Sequence, residues 1–300
     1  MRSQTTIWKA SFTLHHADDE NRLVLGLRFY LDDSGSDDAS EMVACGGLVM
    51  SRIDFKHFCT RWAKMYEQNR FTGYALEPPL HMSDFSGSGK YAGLYPEFKR
   101  ALFRDVAELI NAHRLYSLSI AVSQVEFRKQ LSEDVCSNLL GPYGFAFFSI
   151  VLAHQGLSEN LSSGPLKTSY LVDRGFGHQD QLNQAHKLIV DFEKALGGFR
   201  HTGALATGSD DDVPALQAAD AISWASRKIQ LNGALPEGFE PLSEVLREDG
   251  PGPHVTVPMP SDGIKMFADP VKKWIAKYGT MPALKDIVVR QGNGFVAKLK

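Results

Sequence analysis

The chain has 300 residues, 43% hydrophobic and 22% charged, with a formal net charge of −3. That composition supports a globular core and excludes a disordered or fibrous chain. The slightly acidic balance speaks against a sequence-independent nucleic-acid binder or a membrane-surface protein, though not against an enzyme with a local basic groove.

Three scattered cysteines, Cys45, Cys59 and Cys136, form no C-x-x-C pair and read as reduced thiols. The N-terminal stretch MRSQTTIWKASFTLHH has no apolar run suited to a signal peptide. The most apolar segment, Gly144 to Ala153, is far shorter than the roughly 20 residues that span a bilayer. The expectation is a soluble, cytoplasmic protein with no membrane partner.

In chain order, residues 1–22 are polar and form an appendage. Leu23 to Asp32 alternates apolar positions as a strand, and the turn SGSDD follows. Met42 to Met50 is a second apolar strand suited to hairpin pairing. Ser51 to Arg70 places Phe55, Phe58, Trp62, Met65 and Tyr66 at helical spacing. A Pro-, Gly- and Ser-rich loop spans Phe71 to Tyr95, and a helix with proline in its first turn runs from Pro96 to His113.

Leu115 to Ser123 reads as a strand, and a short helix starts near Gln124. A helix from Pro142 to Gln155 is apolar all round, which predicts burial. Thr168 to Asp173 is another strand, followed by a helix to about Leu196. Ala204 to Thr207 suggests a short strand, and Pro214 to Gln230 a helix. Beyond Leu231 prolines and glycines interrupt the pattern, and a helix is expected from Pro270 to Tyr278. This order implies an α/β fold with a mixed sheet covered by helices. Residues 23–230 form the domain, and 231–300 an extension packed on it.

Three aspartates occupy unusual settings. Asp32 ends the first strand on the face of Tyr30, at the carboxyl end where α/β sheets bind ligands. The plainer reading is an Asx-type turn at D-S-G. Asp173 ends SYLVD, too far ahead of the next helix for a simple N-cap. Asp220 stands mid-helix among Ala218, Ala219, Ala221 and Ile222, where an unpaired carboxylate is costly to bury. The alternative there is a surface ion pair with Arg227 or Lys228. Gln217, one turn before Asp220, could orient a carboxylate or a metal-bound water. Three carboxylates from two strand ends and a helix suit Mg²⁺ or Mn²⁺, and such clusters serve phosphoryl transfer.

YLDDSG, SYLVD and LQAADAISWASRK together resemble the domain-of-unknown-function 3800 family, over Leu23 to Lys228. The resemblance implies a ribonuclease H-like fold: a mixed five-stranded sheet with flanking helices and a carboxylate cluster for two metals. Asp32 stands at the family's first-strand aspartate, and Asp33 replaces the usual glutamate with a shorter acid. Asp173 matches the acid of a later strand, and Gln217 and Asp220 match the late-helix pair. On this reading Asp32, Asp173 and Asp220 are metal ligands and Asp33 is auxiliary.

His81, three residues before Asp84, is either an assistant at the site or a bystander in its loop. His178 is either a general base or phosphate contact, or simply a helix-start residue. SGSGK, Ser86 to Lys90, lacks the glycine spacing and the hydroxyl residue of a P-loop. Ser34 breaks the D-x-D of a haloacid dehalogenase-like phosphatase. The run Asp210-Asp211-Asp212 reads as helix N-terminal charge. The expected function is a metal-dependent nuclease with nucleic acid as partner. The competing expectation is a non-catalytic ribonuclease H-like scaffold for binding or regulation, for instance in phage defence or a mobile-element system.

Overall fold

The computed structural model describes residues 27–35, 40–69, 76–131, 140–161, 167–175, 178–195, 202–249, 252–257, 259, 261–278, 288–291 and 294–297. The proposed appendage, 1–22, lies outside them, as does Cys136. Cys45 and Cys59 are free thiols.

The strands are β1 (Leu27–Ser34), β2 (Met42–Met50), β3 (Tyr116–Ser123), β4 (Thr168–Asp173), β5 (Thr202–Gly208) and β6 (His254–Val257). They build one sheet in the order β5-β4-β1-β2-β3-β6. β2 pairs antiparallel with both β1 and β3, whereas β4 runs parallel to β1 and β5 parallel to β4. β6 lies parallel to β3 at the far edge. A separate hairpin, β7 (Val288–Gln291) and β8 (Gly294–Ala297), follows near the C-terminus.

The sheet has six strands where five were expected. The extra one is HVTV at His254 to Val257, a run too short to signal a strand between its glycine and proline neighbours. Its pairing with β3 makes the 231–300 segment a contributor to the sheet itself.

The helices are α1 (Arg52–Asn69), α2 (Pro96–His113), α3 (Gln124–Gln130), α4 (Pro142–Leu161), α5 (Gln179–Ala195), α6 (Pro214–Asn232) and α7 (Ser261–Tyr278). α7 starts nine residues earlier than Pro270, because that proline falls inside an otherwise amphipathic pattern. Among the described residues no helix is long and apolar enough to cross a membrane.

Alternation along β1 divides the core into two layers. Leu27, Phe29 and Leu31 face one cluster, with Phe145, Phe147, Ile150 and Val151 of α4 and Leu182, Ala185 and Ile189 of α5. Tyr30 faces the other, with Phe58 and Trp62 of α1, Phe103 of α2 and the alanines of α6. α4 is buried nearly all round, as its uniform apolarity requires. Each wholly buried aromatic or aliphatic side chain contributes roughly 1.5–3 kcal/mol.

α6 lies close to the sheet because both surfaces are small. Ala215, Ala218, Ala219, Ala221 and Ala225 are buried on the helix. On β2, a Cβ at Gly46 would stand 2.9 Å from the Ser223 backbone. The contact leaves no room for a larger residue. The helix ends at Gly233, whose left-handed φ of 75° lets its N–H cap the Ile229 carbonyl.

Candidate active site

β1, β4 and β5 run in one direction, so their carboxyl ends lie side by side. Asp32 and Asp33 lie at the end of β1, just before its last residue, Ser34. Asp173 closes β4 opposite Gly208, the last residue of β5. Asp210 follows two residues later. Asp32 shares the Tyr30 face of β1, which looks toward α6, and Asp220 meets it from the second turn of that helix. Asp32, Asp33, Asp173, Asp210, Asp220 and His81 line one cleft of about 500 Å³. The three aspartates singled out in the sequence therefore share a cleft.

Local hydrogen bonds fix each acid. Asp32 Oδ1 accepts from the Asp33 N–H at 2.8 Å, and Asp33 Oδ2 accepts from the Tyr143 hydroxyl of α4 at 2.7 Å. Asp173 takes the Gly175 N–H at 2.6 Å on Oδ2 and the Asp210 N–H at 3.1 Å on Oδ1. Asp220 Oδ2 accepts from the Met82 N–H at 2.8 Å. Met82 opens a short 3-10 turn, Met82–Phe85, that follows the cis Pro78–Pro79 peptide. His81, just before that turn, places Nδ1 2.9 Å from Asp210 Oδ2.

Crowding these acids in a recess holds protons on them. Desolvation, then repulsion from Asp220, Asp33 and Asp173, pushes the Asp32 carboxyl well above its ordinary range. Burial raises Asp220 from 3.8 to about 7, although the Met82 N–H and His81 oppose the rise. Asp173 is raised by desolvation and by Asp210, against three backbone N–H groups. His81 moves the other way for a base: the Asp210 carboxylate raises it to about 9, so it is an imidazolium at neutral pH. A bound cation would take the place of these protons and offset the mutual repulsion of the acids.

Asp220 is not a surface ion-paired residue. Arg227 gives its Nε to the Met42 carbonyl at 3.1 Å and a further nitrogen to the Ser40 hydroxyl. Lys228 lies over the Trp224 ring, 5.6 Å from its centroid. Both cations nonetheless line the cleft.

Two expected auxiliaries stand elsewhere. Gln217 is 2% exposed and does not line the cleft. Its Oε1 accepts from Trp62 Nε1 at 2.9 Å, the Tyr66 hydroxyl at 2.7 Å and the Leu80 N–H at 3.0 Å, while Nε2 donates to the Asp210 carbonyl at 2.6 Å. Its amide oxygen is taken by three structural donors and one of its N–H groups by the Asp210 carbonyl, which holds it behind the cleft wall and not at the carboxylates. It instead ties the strands of chain carrying His81 and Asp210 to α6.

His178 likewise lies off the cleft lining. It adopts φ +65°, sets its ring centroid 4.8 Å from that of Tyr143 at a 41° tilt, and caps α5 through its carbonyl. That is the helix-start role, and among the described residues its ring contact is with Tyr143, which holds Asp33.

The contributor missed in the sequence is Asp210, read there as helix-end charge. Its signal was topological: it lies just past the end of a strand parallel and adjacent to β4. Tyr143 carried no signal, since it belongs to an apolar helix.

The donor set fits a hard divalent cation in kind: oxygen ligands, net negative and partly dehydrated. Asp32 and Asp220 each commit only one oxygen to a described partner. Asp173 engages both, although each carboxylate oxygen has a second lone pair. Among the described residues no three His, Cys, Asp or Glu side chains are closed around one ion position. A scan of protein-family models finds no match to the chain, and a search of curated proteins finds none.

Proposed function

We propose that this chain is a divalent-metal-dependent hydrolase of nucleic-acid phosphodiesters, built on a ribonuclease H-like core in the cytoplasm. The carrying observation is the convergence of Asp32, Asp173 and Asp220, with Asp33 and Asp210, in one cleft where acids are held above their ordinary range. The order β3-β2-β1-β4-β5, with only β2 reversed, supports the fold reading, and β6 is then an addition at its edge.

Asp32, Asp173 and Asp220 would hold Mg²⁺ or Mn²⁺, with Asp33 beside them. Bound there, the ions would supply Lewis-acid stabilisation and make a water acidic enough to attack phosphorus. The protein's own part is to position. Met82 and Tyr143 fix the acids. His81, protonated through Asp210, can give its proton to the departing oxygen as the P–O bond breaks.

The assay is cleavage of single- and double-stranded DNA, RNA and hybrid with Mg²⁺ or Mn²⁺. Cleavage lost in Asp32→Asn and Asp220→Asn supports the proposal, and full activity in both variants overturns it. The scaffold reading, a non-catalytic binding or regulatory protein, is favoured by one observation: no three donors are closed around an ion position among the described residues. Tight nucleic-acid binding without divalent-ion binding or cleavage would establish it.

A further inference from the structure

α6 spans the cleft with opposite charges at its two ends. Asp220 lies in its second turn, and Trp224, Arg227 and Lys228 follow along the same lining. Seven residues at 3.6 per turn return Arg227 almost to the Asp220 face, and Lys228 stands beside it. At 1.5 Å per residue the two cations lie roughly 10–12 Å farther along the axis.

Neither cation has a carboxylate partner among the described residues. Arg227 is pinned by neutral oxygens of Ser40 and Met42, and its place is reserved by Gly35. A Cβ at Gly35, where φ is +83°, would stand 2.5 Å from Arg227 Nε. Lys228 rests on an aromatic face, and burial and Arg227 together lower its proton affinity, a penalty an arriving anion would relieve. Cations near a helix C-terminus often do no more than complement its dipole. Here they stand more than a turn before Asn232, and both face the cleft that holds the acids. The hydroxyls of Ser83 and Ser86 line the same cleft.

We propose that Arg227 and Lys228 grip backbone phosphates about three nucleotides away from the bond presented to Asp220, so that the substrate is an oligonucleotide strand and not a mononucleotide. The offset follows from the ~10–12 Å along α6 and the 3.4 Å rise per stacked nucleotide of one strand. A mononucleotide can occupy the acidic or the basic end, whereas a strand bridges both. This inference rests on the nucleic-acid reading of the cleft.

The test is fluorescence anisotropy of labelled single-stranded oligonucleotides of two to ten residues, titrated across monovalent salt at a fixed Ca²⁺ concentration in place of Mg²⁺ or Mn²⁺, with the strands checked intact by gel. Wild-type affinity should climb with length until about four nucleotides and then flatten. In Lys228→Ala affinity for a ten-mer should fall about fivefold, and the slope of log K against log salt should shrink by about 0.7, one released phosphate contact. Arg227→Lys, which keeps the charge and tests geometry, should keep the slope. An unchanged slope in Lys228→Ala, equal affinity for dimers and ten-mers, or no binding at all overturns the proposal. Binding with these signatures but no cleavage with Mg²⁺ or Mn²⁺ overturns the hydrolase reading alone. Cleavage with an unchanged slope overturns the phosphate grip alone.

Discussion

Replacing Asp220 by asparagine should stabilise the metal-free protein, and by more at high pH than at low. The carboxyl is buried beside Asp32, Asp33 and Asp210, and its pKa rises from 3.8 to about 7. A carboxyl whose folded pKa exceeds the unfolded one favours folding fully below pH ~4, and that advantage disappears as pH rises through about 7. At pH 8 the ionised wild type therefore carries a penalty of up to about 4 kcal/mol, at 1.36 kcal/mol per pH unit. Between pH 8 and pH 5 about 2–3 kcal/mol of it is relieved, because pH 5 lies two units below the folded pKa. Asparagine keeps an acceptor for the Met82 N–H and removes the charge.

The wild-type profile alone would mislead. His254 is wholly buried between the Ser117 and Ser119 hydroxyls, and burial lowers it to about 3, so it destabilises the fold as pH drops below 6.5. It is common to both proteins and cancels in their difference. Urea unfolding followed by circular dichroism with chelator present gives that difference. The asparagine variant should gain about 2–4 kcal/mol at pH 8, and the gain should shrink by about 2–3 kcal/mol at pH 5. A variant no more stable than wild type at pH 8, or a gain independent of pH, would refute the view that Asp220 is held ionised at a cost.

Gln217→Ala should cost at least about 3 kcal/mol in urea unfolding, because it strands the buried Trp62, Tyr66 and Leu80 donors at about 1–3 kcal/mol each. Gly46→Ala should cost about 1–3 kcal/mol by the same measurement and reduce activity, since the added methyl pushes α6 and Asp220 away from β1. In His254→Gln the fall in stability between pH 6.5 and pH 4 should flatten by up to about 3 kcal/mol, read from urea midpoints across that range. Mn²⁺ at a hundred times its dissociation constant should raise the wild-type melting temperature by about 4 °C, and leave Asp32→Asn unmoved in a thermal shift assay.

Much of the scaffold was readable because patterning and turn chemistry agreed. β2, α2 and β4 fall at the bounds their apolar runs and flanking residues suggested, and the alternation of β1 correctly put Asp32 on the Tyr30 face. β6 was not readable: four residues carry little periodicity, and only pairing with β3 makes them a strand.

At the site, Asp220 was legible because a carboxylate among buried alanines contradicts its surroundings. Gln217 looked like its partner by helical spacing. Spacing cannot show that Trp62, Tyr66 and Leu80 claim the amide from about 140–155 residues earlier in the chain. His178 was near Asp173 in sequence, yet its positive φ turns it toward Tyr143. Asp210 was obscured by Asp211 and Asp212, and only the β4–β5 register distinguishes it from them.

The central claim is that acids from β1, β4 and α6 act together as one cation site. Anomalous scattering from a crystal soaked in Mn²⁺ tests it most directly. The account predicts manganese in the cleft, bound by oxygens of Asp32 and Asp220 with Asp173 alongside. A crystal saturated with Mn²⁺ that shows none between these residues, their carboxyls too far apart to share an ion, would contradict it.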